Sequence, residues 1–128
     1  MRALPVAIGA SLGALAMLHA QHRHPGTFAG LFLQSGSFFT PERDIQERGF
    51  SRWARVTAFV AEVLAGGRGP GAAPAVLTCG AGEENIHNNR EMAAALGEQL
   101  HELADLHNYI AWRDALHPHL TGLLAELW

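Results

Sequence analysis

A serine, a carboxylate and an imidazole occur along this 128-residue chain in an order that suits acyl transfer. Ser11 lies in Gly9-Ala10-Ser11-Leu12-Gly13, a G-x-S-x-G pentapeptide between a short apolar run and a helix-like sequence. That setting is the one of a nucleophile elbow, where the serine sits on a strained strand-to-helix turn and small neighbours let two backbones approach. The first amides of the helix and its dipole then favour negative charge on a carbonyl oxygen under attack. A serine hydroxyl is a poor nucleophile at neutral pH, so it needs a base to take its proton and an acid to orient that base. Glu83 follows an apolar run at 75–80, and His107 precedes the last helical segment, giving the order Ser, Glu, His. Taken alone, the pentapeptide is also the glycine-rich turn of any α/β protein, Glu83 a solvated loop carboxylate and His107 one surface histidine among eight.

The elements around these residues decide between the two readings. Residues 5–10 make a short strand, and Leu12, Leu15, Ala16 and His19 recur at helical spacing until Pro25-Gly26. Residues 28–34 form a second, mostly apolar run that ends in Ser35-Gly36-Ser37, which fits a buried parallel strand. Thr40-Pro41-Glu42-Arg43 resembles a helix start, and Phe50, Trp53, Val56, Phe59, Val60 and Val63 continue a helical face to Gly66-Gly67. The glycine-rich stretch 66–71 lacks a preceding strand and a Lys-Ser/Thr ending, so it is a connector rather than a phosphate loop. A third strand at 75–80, a loop and the helical pattern of Met92, Ala95, Leu96 and Leu100 follow. Residues 112–128 read as one final amphipathic helix. Alternating strands and helices predict a mostly parallel sheet with helices on both faces, with ligands bound beyond the carboxyl ends of the strands. Ser11, Ser35 to Ser37 and Glu83 all fall at those ends.

Composition narrows the partners. With 48% hydrophobic and 16% charged residues the chain can bury a core as a single domain. A net charge of −3 and the absence of a basic run exclude an electrostatic footprint for nucleic acid or an anionic membrane. The single Cys79 excludes an internal disulfide framework and fits a reducing cytoplasm. Arg2 and the apolar stretch at 3–18 superficially resemble a signal peptide, but Gly9, Ser11 and Gly13 interrupt it, and it is too short and punctuated to span a bilayer. His19, His22, His24, His117 and His119 lack a metal-ligand spacing, so no metal and no cofactor are expected.

Four motifs carry a family likeness: G-x-x-E within Cys79 to Ala93, the N-N-R-x-M-A that opens the next helix, the L-Q-S-G-S-F of Leu33 to Phe38, and the H-N-x-x-x-W-R-D from His107. Together with the elbow they span nearly the whole chain, which resembles the enterochelin esterase-like family of the α/β hydrolases. The resemblance implies an α/β-hydrolase fold and hydrolysis of a small-molecule ester through an acyl-serine intermediate. Ser11, Glu83 and His107 stand at the matching positions. Glu83 holds the G-x-x-E spacing, while the adjacent Glu84 competes for the role of triad acid or instead caps the next helix. Phe38 and Phe39 are expected to line the site. Arg90 is most simply a salt-bridge or carbonyl-capping residue, with binding of a substrate carboxylate or phenolate as the lesser alternative.

Two departures qualify that likeness. The oxyanion hole of this fold takes one amide from the residue after the nucleophile, here Leu12, and a second from a loop after an earlier strand. No earlier strand is read here, so the expected molecule is a partial α/β hydrolase whose N-terminal strands are missing. Residues 100–106 have weak strand character with no glycine turn recognised before them, so the last strand is expected to be short or replaced by helix. Two classes of function follow: a serine esterase, or a truncated non-catalytic remnant acting as a binding or interaction module. An uncovered sheet edge leaves a homo-oligomer or a missing N-terminal half as the ways to cover it.

Overall fold

The computed structural model describes residues 3–128; Arg2, which heads the N-terminal apolar stretch, lies outside the described residues. Four strands, β1 (Val6–Ala10), β2 (Gly30–Gln34), β3 (Ala75–Gly80) and β4 (Leu100–Leu103), form one sheet in chain order. Every pairing is parallel, with Gly9 opposite Leu33 and Gln34 opposite Thr78. Each link between strands therefore crosses over through a helix: α1 (Leu12–Arg23), α2 (Trp53–Gly66) and α3 (Ile86–Leu96). After β4 come α4 (Tyr109–Asp114) and α5 (Thr121–Leu127).

Side-chain alternation on β2 sorts the helices onto two faces. Leu31 and Leu33 point into the main core with Leu15 and Leu18 of α1, Val60 and Val63 of α2, Leu77 of β3, and Met92 and Leu96 of α3. Gly30, Phe32 and Gln34 point the other way. Leu123 and Leu127 of α5 pack close over Gly30, and the Gln34 Nε2 donates to the Trp112 carbonyl at 2.8 Å. All five residues of β2 are buried, as a strand covered on both faces must be.

Several local expectations are corrected. The inward stripe of α1 is Ala14, Leu15, Leu18 and Gln21, whereas Leu12, Ala16 and His19 face outward over a groove shared with α2. No helix starts at Thr40. The Asp44 carboxylate accepts from the Thr40 amide and from Asn88 Nδ2, both at 2.8 Å, and that local closure competes with helical bonding. A 3₁₀ turn at Ile45–Glu47 follows, and α2 begins only at Trp53, leaving Phe50 exposed. The C-terminal segment is two helices rather than one. Pro118 has no N–H and disfavours helical geometry in the residue before it, and His117 is extended at φ −119°, ψ 127°. A glycine turn does precede β4: Gly97, at φ 68°, ends α3 in the left-handed conformation.

Candidate active site

Ser11 sits between β1 and α1 at φ 57°, ψ −124°, a conformation that a residue with a Cβ adopts only under constraint. Its amide donates to the Gln34 carbonyl at 2.9 Å, and its carbonyl accepts from Ala14, Leu15 and Ser37, so strand, helix and neighbouring loop hold the turn. Gly9 is dictated by the approach of α1: a Cβ there would lie 2.4 Å from the Gly13 carbonyl oxygen. Gly13 meets nothing within 4 Å, so only the first of the two flanking glycines is required by packing. The Leu12 and Gly13 amides open α1, where a helix offers them no internal acceptor, and no other backbone hydrogen bond uses them. The second oxyanion amide, expected from a loop after an earlier strand, has no counterpart among the described residues, where β1 is the first strand.

The structure brings the three sequence-predicted groups together from the ends of three strands. The Ser11 Oγ lies 3.1 Å from the His107 Nε2, and the His107 Nδ1 lies 2.5 Å from the Glu83 Oε1. Glu83 is buried, and its other oxygen accepts from the Gly80 amide at 2.6 Å and the Ser35 hydroxyl at 2.7 Å. Those two bonds fix the carboxylate so that Oε1 faces the imidazole. Glu84 is exposed on the same cavity wall and has no such contact with His107. Gly80 is glycine for a steric reason, since a Cβ there would lie 2.2 Å from the Asp105 carbonyl oxygen in the loop leading to His107. The Cys79 thiol lies 3.5 Å behind Glu83 Oε2, and burial, reinforced by that carboxylate, pushes its pKa far above the ordinary thiol value. It therefore stays a protonated thiol.

A cavity of about 340 Å³ opens over Ser11 and His107, lined also by Ser37, Phe39, Glu47, Glu84 and Asn85. Phe39 borders it as expected. Phe38 does not: at 1% exposure it belongs to the main core, turned inward beneath Gly36. Arg90 is also displaced from the site, because its guanidinium is engaged by both carboxylate oxygens of Glu102 on the surface, at 3.1 and 2.6 Å. That pairing raises the Arg90 pKa and lowers that of Glu102.

Other residues shape the site without having been legible as functional. Ser37 places its hydroxyl 3.2 Å from the Ser11 Oγ. Asn89 donates to the Gly36 carbonyl and accepts from the Gly36 amide, Asn88 donates to the Phe38 carbonyl, and Asn85 donates to the carbonyls of Ser35 and Gly36. Asn85, which precedes α3, and Asn88 and Asn89 within it thus pin Ser35, Gly36 and Phe38 of the loop beside the nucleophile. Asn108 accepts from the Ala111 amide at 2.9 Å and so caps α4 just after His107. Trp112 packs edge-on against the His107 ring at 5.0 Å and donates to the Ser35 Oγ at 3.1 Å.

No protein-family model matches the sequence, and no curated protein matches it. Solved structures do. The enterobactin esterase FES from Shigella flexneri superposes with a TM-score of 0.74 at 26% identity, covering 96% of this chain and 32% of that one. A ferulic acid esterase matches at TM-score 0.71 and 18% identity, over 94% of this chain and 50% of the other. A monoacylglycerol lipase from Paleococcus ferrophilus matches at TM-score 0.71 and 13% identity, over 98% and 70%. The chain spans about a third of the length of the first of these esterases and about half of the second. Over the part it spans it has the α/β-hydrolase fold, and its likeness to enterochelin esterase-like esterases holds in three dimensions as well as in motifs.

Proposed function

We propose that this α/β-hydrolase chain cleaves a small-molecule carboxylic ester through an acyl-serine intermediate, with Ser11 as nucleophile, His107 as general base and acid, and Glu83 as the orienting carboxylate. The observation that carries the reading is the continuous hydrogen-bonded line from Ser11 Oγ through both nitrogens of His107 to Glu83 Oε1. Glu83 accepts from Nδ1–H and so leaves Nε2 free to take the serine proton as Oγ attacks the ester carbonyl. The negative charge of the tetrahedral intermediate falls near the first amides of α1, with the Leu12 N–H as donor. Protonated His107 then gives its proton to the departing alcohol oxygen. A water molecule, deprotonated by the same nitrogen, releases the acid and restores Ser11.

The similar proteins named as esterases and a lipase support ester bonds as the substrate class. A reducing cytoplasm is the proposed setting, supported by the lone, buried, unpaired Cys79. No helix among the described residues is long and apolar enough to cross a membrane. Labelling by a fluorophosphonate probe tests the reading: the folded chain should be modified at Ser11, and Ser11→Ala should not. A folded sample that shows no Ser11-dependent labelling leaves the non-catalytic interaction module in its place.

A further inference from the structure

Ser35 is the most constrained residue near the site that the acyl-transfer chemistry does not use. It directly follows β2 at φ 50°, a left-handed backbone in a residue that is not glycine, and it is only 1% exposed. Its amide is fixed to the Thr78 carbonyl at 2.8 Å, so the conformation is imposed by the sheet. A strained serine followed by Gly36, which would tolerate that conformation without cost, suggests that the hydroxyl is what the position retains.

That hydroxyl has one proton, and both its donor and one acceptor site are engaged. The proton goes to Glu83 Oε2 at 2.7 Å, and the oxygen accepts the Trp112 Nε1–H at 3.1 Å. Trp112 in turn is held through its carbonyl by Gln34 Nε2, the residue preceding Ser35, at 2.8 Å. Its ring lies edge-on to His107, centroids 5.0 Å apart and planes at 84°. The acid and the base of the proposed triad are thus touched by the same two-residue unit, although Ser35, Glu83 and the His107–Trp112 segment come from three separate stretches of chain.

We propose that Ser35 and Trp112 form one brace that positions both members of the Glu83–His107 pair, Ser35 by locking the carboxylate and Trp112 by locking the imidazole. The brace rests on the esterase reading for its purpose but not for its test. With Ser35 in place, its hydroxyl and the Gly80 amide hold Glu83 Oε2, and Oε1 is left for His107 Nδ1–H, which fixes the tautomer whose Nε2 accepts a proton. Without it, the carboxylate loses one of these two restraints, and the Trp112 N–H loses its acceptor in a part-buried site. Both residues are positioning residues, since neither reaches the cavity floor where the ester would react.

The test is made on the full chain, with Ser35→Ala and Trp112→Phe compared with the unaltered protein. Nitrogen-15 shifts of His107 should report a single Nδ1–H tautomer in the unaltered chain. In Ser35→Ala, and less strongly in Trp112→Phe, they should move toward the averaged values of an unrestrained imidazole. The rate of fluorophosphonate labelling should fall by up to about 100-fold in Ser35→Ala, the scale expected for a misplaced base. A purely structural role would lower the melting temperature without moving the His107 shifts. Unchanged His107 shifts in folded Trp112→Phe and Ser35→Ala overturn the brace; if Ser35→Ala does not fold, Trp112→Phe alone decides. Shifts that move in a chain whose Ser11 is never labelled keep the brace and remove the esterase.

Discussion

At the scale of residues, two adjacent glutamates and two flanking glycines are separated sharply by their surroundings. Glu83 is buried, bonded to Gly80, Ser35 and His107, while Glu84 stands exposed on the cavity wall. Glu83→Gln should therefore cut kcat of ester hydrolysis by roughly 10³–10⁴, the scale seen when the orienting acid of a triad loses its charge, and Glu84→Gln should leave it within a few-fold. Equal effects of the two changes would move the acid's role away from Glu83. Gly9 and Gly13 divide in the same way. Gly9→Ala forces a methyl group to within 2.4 Å of backbone oxygen and should cost about 2 kcal/mol or more, whereas Gly13→Ala, with open space and a better helix former, should be neutral or stabilising by up to about 1 kcal/mol. Urea unfolding of the two variants measures the difference. Ser11, Glu83 and His107 were legible because a nucleophile elbow and the order of its partners are local marks on the sequence. Ser35, Trp112 and the asparagines at 85, 88 and 89 stood out only as parts of motifs, and their individual roles were not legible because each acts through partners roughly 50 to 80 residues away, as in the Asn89–Gly36 and Trp112–Ser35 bonds. Phe38 illustrates the converse error. Its neighbourhood in sequence is the site, but alternation along the loop turns its ring into the core.

At the scale of elements, the strands were readable and the helix boundaries less so. β3 is an apolar run bounded by polar turns, and its limits at Ala75 and Gly80 are those of the run itself. The stretch before α2 carried helical periodicity that Asp44 overrides by closing onto Thr40 and Asn88, a tertiary bond that no local pattern encodes. In the C-terminal segment the leucine spacing suggested one helix, and Pro118 breaks it by removing a donor and extending His117. The kink lets α5 lie across β2, where Leu123 is 2% exposed and approaches Gly30. Gly30 is small because α5 sits so close, with Leu127 only 2.8 Å from where a Cβ would stand. Leu123→Ala should then cost about 2–4 kcal/mol, as for other buried leucines that leave a cavity against a strand. A change below about 1 kcal/mol in a denaturant titration would mean that α5 is not anchored there.

At the scale of the whole molecule, charge is distributed unevenly around the site. The chain carries a net −3, and its cavity over Ser11 is lined by Asp44, Glu47, Glu83 and Glu84 and by no arginine. Asp44 is buried and turned to the Thr40 amide and the Asn88 side chain, and Glu83 faces His107. Glu47 and Glu84 remain exposed, so they set the potential that an approaching ester meets. Arg43 and Arg90, on either side of the site in sequence, are engaged by Glu91 and Glu102. A single exposed charge acts through water, where a pair about 4 Å apart is worth about 1 kcal/mol, so two such groups discriminate by a several-fold factor and not by orders of magnitude. If the chain is an esterase, kcat/KM at low ionic strength should be higher for a thioester bearing a trimethylammonium group than for its carboxylate-bearing isostere, by about 3- to 10-fold. The preference should collapse at 0.5 M salt, where screening acts over roughly 4–5 Å, and in the Glu47→Gln/Glu84→Gln double variant, while a neutral thioester is hydrolysed equally in all cases. An anionic thioester preferred at low salt would mean that these two carboxylates do not govern entry, and that the field at Ser11 is set by something other than the walls described.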